Sequence, residues 1–411
     1  MIRSKSTYFF LVSNWLVVLF LLISCTSNSQ NNISKKIIPA ADQTEKYIPL
    51  LKGKKVVVVA NQTTVIQKAK GKSGKEKVSF IHLVDSLLSL NINIVKVFAP
   101  EHGFRGKADA GEHVSNHKDI KTGLPILSLY GKNRKPGPEQ LEGIDLVVFD
   151  IQDVGVRFYT YISTMTYVME ACAELDIPVI ILDRPNPNGH YVDGPILEME
   201  HKSFVGMHPV PLVYGMTIGE YARMVNGEKW MKNGVKCNIT IIPLINYTHN
   251  SEYSLAIRPS PNLPNSQSIN LYPSLGFFEG TIINAGRGTE FQFQRYGAPF
   301  FPQDGTPDDL TYTPQPNFGS KNPKFKGELC YGVDLSKTEK QNTVNLKWLV
   351  DAYHKTPKEK EFFGNSFTIH AGTLQLQKQL ESGKTAEEIR ASWQKDVTKF
   401  KKVRSKYLIY D

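Results

Sequence analysis

Val95-Lys96-Val97-Phe98-Ala99-Pro100-Glu101-His102-Gly103-Phe104-Arg105-Gly106 runs from an apolar segment through a proline into a Glu-His pair and two glycines that bracket an arginine. A short run of β-branched and aromatic residues closed by Pro and Gly is a strand signal. The spacing therefore predicts a buried strand that ends at Ala99 and hands a carboxylate and an imidazole to a loop. In open α/β sheets, polar groups just past the carboxyl end of a strand are where ligand sites form.

Outward from this stretch the same unit recurs. Apolar runs at 55–60, 94–98, 124–130, 146–150 and 178–183 predict strands, and a further strand is expected at 237–243. Between them, 80–90, a short turn of helix closing at Leu141, and 160–175 carry helical periodicity. Strands that are apolar throughout, alternating with amphipathic helices, predict an α/β fold with a mostly parallel sheet covered on both faces. Each strand is followed by polar residues: Asn61-Gln62-Thr63-Thr64, Glu101-His102-Gly103, Gln152 to Tyr161, and Arg184-Pro185-Asn186-Pro187-Asn188-Gly189. In a parallel sheet these loops converge at one edge, which is the strongest pointer to a site. Thr217-Ile218-Gly219-Glu220 reads as a capping box opening a helix that ends near Asn226-Gly227. The proline-rich Arg258–Pro264 is not helical, and a domain boundary is expected just before it. The divisions are 51–252 for the first domain and 253–411 for a smaller α+β domain, with helices near 346–354, 361–363 and from Thr385 towards Phe400.

The ends and the composition narrow the class. Arg3 and Lys5 precede an apolar run, which leads into Leu22-Ile23-Ser24-Cys25 and a polar stretch. This is the pattern of a secretory signal peptide over 1–24, and Leu-x-Ser-Cys resembles a bacterial lipobox. Cys25 is then the expected lipidation site, 25–50 a polar tether, and the cell envelope the expected location. A single signal-anchor helix is the alternative. The absence of acidic residues just after Cys25 favours a periplasm-facing anchor. Loss of the leader lowers the formal net charge from +10 by the two charges of Arg3 and Lys5, to +8. The lysines are scattered, with no basic-aromatic face of the kind nucleic acid requires. Cys172, Cys237 and Cys330 are distant from one another, with no zinc spacing and no disulfide framework. A G-x-G-x-x-G after the first strand, a P-loop, H-E-x-x-H and G-x-S-x-G are all missing, so no cofactor or metal is expected.

Among the residues that could do chemistry, Glu101 leads. A carboxylate beside an apolar strand end is partly desolvated, which suits a general acid. A loop ion pair with Arg105 is the alternative. His102 is a weaker candidate, for orienting Glu101 or substrate. Asp153, Arg157 and Tyr159 form a second cluster, because Arg pairs with carboxylates and tyrosines offer flat faces to a sugar. A structural pairing of Arg157 with Asp150 or Asp153 is its alternative. Asn61 and Asn186 lie in two other post-strand loops. In the C-terminal part, Asn284, Arg287 and Glu290 sit beside glycines, with Glu290 the candidate second carboxylate.

These loops together resemble a known family. Ala60-Asn61-Gln62-Thr63, Pro100 to Gly106, Asp150 to Tyr161, Asp183-Arg184-Pro185-Asn186-Pro187, Ser260 to Pro264, Gly288-Thr289-Glu290 and Ser392-Trp393-Gln394 are similar to the bacterial exo-β-N-acetylmuramidase (NamZ-like) family, once known only as a domain of unknown function. The resemblance implies a Rossmann-like N-terminal domain, an α+β C-terminal domain and a cleft at their junction. It also implies release of N-acetylmuramic acid (MurNAc) from the non-reducing end of peptidoglycan fragments, with Glu101 as the family's catalytic glutamate. Glycoside cleavage needs an acid and a group that supports the cationic centre. Asp153, Glu290 or the substrate's own acetamido group are the options for the second role. Arg157 or Arg287 is expected to meet the lactyl carboxylate, with Asn61, Arg105, Tyr159, Asn186 and Asn284 as further substrate contacts. Two rival readings stay open: a lipid-tethered muropeptide-binding protein and a β-N-acetylglucosaminidase.

Overall fold

Val56-Val57-Val58-Val59-Ala60 is apolar at every position, so it is stable only where both sheet faces are covered. The computed structural model, which describes residues 36–68, 79–106, 112, 116–303, 305 and 309–411, places it at the centre. We label the strands of the main sheet β1 (Val56–Ala60), β2 (Ile94–Ala99), β3 (His117–Lys118), β4 (Pro125–Ser128), β5 (Leu146–Asp150), β6 (Val179–Leu182) and β7 (Ile239–Ile242). They lie in the order β7-β6-β5-β1-β2-β4-β3. All neighbouring pairs are parallel except the short edge strand β3, which runs antiparallel to β4. The α/β class with a mostly parallel sheet is therefore as the sequence predicts. Cys25, with the expected leader, lies outside the described residues.

Side chains alternate across the sheet. Val57, Val59, Phe98, Val147, Phe149 and Ile181 pack on one face, under the helices Tyr161–Ala173 and Ile218–Gly227. Val56, Val58, Ala60, Val97, Val148 and Leu182 pack on the other, under Thr44–Leu51 and Leu83–Ser89. The Thr217 capping box is formed as expected.

Several elements differ from expectation for local reasons. Phe80–His82 is a strand, paired antiparallel with Val65–Gln67, so the helix begins only at Leu83, with His82 Nδ1 accepting from Val84 N. Residues from Ile37 onward are not a tether. Ile38 pairs with Ile245, and Tyr47 and Leu51 are fully buried. Residues 361–363 are not helical, because Phe363 bridges to Thr281. The helix from Thr385 breaks at Trp393, whose Nε1 donates to Asp193 (2.9 Å). Ser266–Leu275 is a helix missed by the sequence reading, capped by Asn265.

The smaller C-terminal part is α+β. Its antiparallel sheet comprises β8 (Arg295–Ala298), β9 (Asp309–Tyr312) and β10 (Cys330–Asp334), in the order β8-β10-β9. The chain then returns to the N-terminal part. Ile409 N donates to Glu220 (2.8 Å) and Tyr410 Oη to Asp183 (2.7 Å). Residues 37–411 thus form one compact unit.

Candidate active site

The strand ends build one wall of a cleft of about 280 Å³. After β2, the chain turns through His102 (φ +69°) and Gly103 (φ +76°). A non-glycine residue in the left-handed region costs free energy and persists where surrounding structure imposes it. The turn buries His102 and leaves Glu101 half-buried at the cleft. Glu101 Oε2 accepts from the Thr160 hydroxyl (2.8 Å), supplied by the loop after β5. The Tyr130 hydroxyl, from beyond β4, also faces Glu101. Burial first, then that carboxylate, keeps the phenol protonated.

The opposite wall comes from the C-terminal part. Glu279 lies in the short 3-10 turn Gly276–Gly280, and Arg287 Nη1 donates to its Oε1 (2.7 Å). Lys324 Nζ clasps the backbone of this turn, donating to the carbonyls of Phe278 (2.7 Å) and Ile283 (3.2 Å). Burial pushes the Glu279 carboxyl up, but the charges of Arg287, His370 and Lys324 together pull it below its ordinary value. Burial in turn lowers the Lys324 ammonium to about 8. Aromatic rings lie between the walls. Tyr272 packs edge-on against Phe158 (5.1 Å between centroids) and Phe293 (4.8 Å). The Tyr159 hydroxyl donates to Pro259 O (2.7 Å), and Gln62 Nε2 donates to the same carbonyl (3.1 Å). The loop at 258–264 is thereby stitched to two post-strand loops.

Of the expected site residues, Glu101, His102, Tyr159 and Arg287 line this cleft. The others do not, and the reasons are physical. Asp153 is buried beneath it, accepting from Gly155 N (2.7 Å) and the Tyr214 hydroxyl, and burial raises its carboxyl to about 7. Glu290 is exposed on the surface outside the cleft. Arg157 is fully buried, and its guanidinium donates to the carbonyls of Pro195 (2.6 Å), Val210 (2.9 Å), His370 (3.2 Å) and Ala371 (2.6 Å). It is enclosed outside the cleft, out of reach of a substrate carboxylate. Neither Asp150 nor Asp153 is its partner. Asp150 is held by Arg184 instead (2.6 and 2.8 Å). Arg105 pairs with Asp119 (2.8 Å) and Asp85 (3.2 Å), away from Glu101. Asn61 accepts from Thr63 N (2.8 Å) and shapes its own loop. Asn186 donates to Met216 O (2.8 Å) and caps Asn188 N (2.8 Å). Asn284 donates to Arg287 O (3.1 Å) and Lys324 O (3.0 Å), so it positions the Arg287 loop from behind.

Sequence reasoning missed Glu279, His370, Thr160, Tyr130 and Arg134, all of which line the cleft. Glu279 carried a readable signal, as a lone acid in the apolar run Gly276-Phe277-Phe278-Glu279-Gly280.

The comparisons with known proteins bear on this same architecture. Residues 56–267 match the family described as exo-beta-N-acetylmuramidase NamZ, N-terminal, and residues 270–410 match its C-terminal counterpart. The chain belongs to the NamZ exo-β-N-acetylmuramidase family. A curated relative, the peptidoglycan beta-N-acetylmuramidase NamZ of Bacillus subtilis (strain 168), is 37% identical over 429 residues, covering 99% of this chain and 100% of the relative. A crystal structure of a DUF1343 family protein from Bacteroides fragilis NCTC 9343 superposes with a TM-score of 0.81 at 46% identity, covering 92% of this chain and 99% of that one. A second DUF1343 protein from the same organism gives 0.76 at 29% identity, covering 91% and 99%. The family matches thus span both the wall that carries Glu101 and the wall that carries Glu279.

Proposed function

We propose that this chain is an exo-β-N-acetylmuramidase, a glycosidase that releases MurNAc from the non-reducing end of peptidoglycan fragments, with Glu101 as general acid. One observation carries the reading. Glu101, which opens the Glu-His-Gly stretch, stands half-buried on a constrained turn, in a cleft small enough for one substituted sugar ring. A pocket of this size suits removal of a terminal residue better than binding along a polymer. Apolar aromatic walls with a few convergent polar groups are the ordinary make-up of such sites. The test is hydrolysis of a chromogenic MurNAc glycoside beside its N-acetylglucosamine (GlcNAc) analogue. Turnover of the first supports the reading. Binding without turnover would favour a muropeptide-binding protein, and preference for the second a β-N-acetylglucosaminidase.

The lactyl carboxylate that distinguishes MurNAc from GlcNAc calls for a cation. Arg157 is buried outside the cleft and Arg287 is engaged by Glu279, so we propose Arg134, which also lines the cleft, as the reader. Its guanidinium lies over the Phe204 ring, 4.4 Å from the centroid, at the cleft mouth. Stacking leaves the planar fork oriented for a carboxylate. Arg134→Ala is expected to lower the MurNAc-over-GlcNAc ratio of kcat/KM by about tenfold, the value of one charge-assisted contact at a partly wet site. An unchanged ratio would sink this assignment.

The cell-envelope location, with a lipid on Cys25 and a periplasm-facing orientation, rests on the leader pattern of residues 1–25. Cys25→Ala is expected to shift the protein from the membrane fraction to the soluble one. An unaltered distribution would argue for a signal anchor.

A further inference from the structure

We infer that Glu279 is the second catalytic carboxylate of this cleft, acting as general base on the water that replaces the departing sugar. The inference rests on the glycosidase reading above. Among the described residues, Glu101 and Glu279 are the carboxylates that line the cleft. They come from different parts of the chain, Glu101 from the carboxyl edge of the parallel sheet and Glu279 from the turn after the helix Ser266–Leu275. Tyr272 lies within electrostatic reach of both. Glu279 has a quarter of its side-chain surface exposed, enough to meet a ligand.

The surroundings of Glu279 are those a general base requires. Glu101 sits among hydroxyls, those of Thr160 and Tyr130. Glu279 sits among cations, with Arg287 in direct contact and Lys324 under its turn. Cations in contact with a carboxylate favour its anion, the form a general base needs. Glu279 is thus held ready for the base role, and the acid role stays with Glu101, as a glycosidase with two carboxylates requires. Asp153 and Glu290, the earlier candidates, lack access to the cleft.

The step balances with these two groups and water. Glu101, protonated, gives its proton to the glycosidic oxygen as the C1–O bond breaks and the bonding pair stays on that oxygen. Glu279, as carboxylate, takes one proton from a water whose oxygen forms the new bond to C1. One water is consumed, and both acids return to their starting forms by proton exchange with solvent.

A purely structural role for Glu279, as partner of Arg287, makes a different prediction from the catalytic one. The wild type is first assayed on an aryl MurNAc glycoside, then Glu279→Ala and Glu279→Gln with and without azide. Glu279→Gln keeps an acceptor for Arg287 and guards against misfolding, which thermal melting monitors. Both variants are expected to lose about 10³-fold in kcat, within the usual range for a general base. Azide, which needs no deprotonation, is expected to restore turnover in Glu279→Ala and give the glycosyl azide. A loss below tenfold in Glu279→Gln, or a loss in Glu279→Ala that azide leaves unchanged, overturns the inference while an active wild type preserves the glycosidase reading. An inert wild type overturns both.

Discussion

Glu101→Gln is expected to lose about 10³-fold in kcat on a MurNAc–GlcNAc disaccharide, near the middle of the range measured for removing a general acid. The substitution is nearly isosteric. Its amide oxygen still accepts from the Thr160 hydroxyl, and the turn through His102 and Gly103 is set by backbone geometry, so the fold is expected to be kept. What disappears is the proton for the leaving oxygen. A sugar hydroxyl is a poor leaving group and needs that proton, whereas an activated phenol does not. The loss is therefore expected to shrink on a dinitrophenyl glycoside. Kinetics on the two substrates check this. Activity within tenfold of wild type on the disaccharide would remove Glu101 from the acid role.

The second large effect concerns stability. Arg157→Met is expected to destabilise the protein by about 3–5 kcal/mol, since each buried carbonyl left without a donor costs about 1–3 kcal/mol. Four carbonyls would lose the guanidinium in the interior, two from the segment 195–210 and two from 370–371, with Val210 O still accepting from Leu197 N. These groups belong to different parts of the chain, so Arg157 acts as a clamp that fixes His370 against the cleft. Gly372 (φ +75°) permits the clamp, because a Cβ there would collide with the guanidinium. At about 2–4 °C per kcal/mol for a domain above 150 residues, melting is expected to fall by roughly 10 °C. Arg157→Lys keeps a charge but not the planar fan of donors, and is expected to fall between. The folded fraction of either variant is expected to keep its MurNAc-over-GlcNAc ratio. Unchanged melting with a lost ratio would return Arg157 to the substrate site.

The parallel sheet was legible because its strands are apolar on both faces and separated by helical periodicity, a pattern that few other arrangements can bury. Convergence of the post-strand loops was legible for the same reason, and it led correctly to the place where Glu101 lies. Roles within those loops were not. Asp153, Arg157 and Asn186 are as polar in the sequence as Glu101, and only packing distinguishes a side chain that holds a loop from one that faces a ligand. Buried polar groups must find partners: Arg157 and Asn186 find them in backbone, and Asp153 in Gly155 N and the Tyr214 hydroxyl. The other wall of the cleft was hidden further. Its carboxylate, Glu279, follows a helix with a proline inside it, Pro273. Its cations arrive from positions 287 and 324, far enough apart that no local spacing links them. The helix start at Leu83 was misplaced because a two-strand ribbon competes for Phe80–His82, and that competition depends on Val65–Gln67.

Product analysis on a defined glycan chain tests the central claim most directly. Peptidoglycan-derived oligosaccharides with MurNAc at the non-reducing end are incubated with the wild type, and products are followed by mass spectrometry. A small cleft that acts as an exo-muramidase is expected to release free MurNAc first, leaving a chain shorter by one residue. Internal fragments as first products, or release of GlcNAc from chains that begin with GlcNAc, would contradict it.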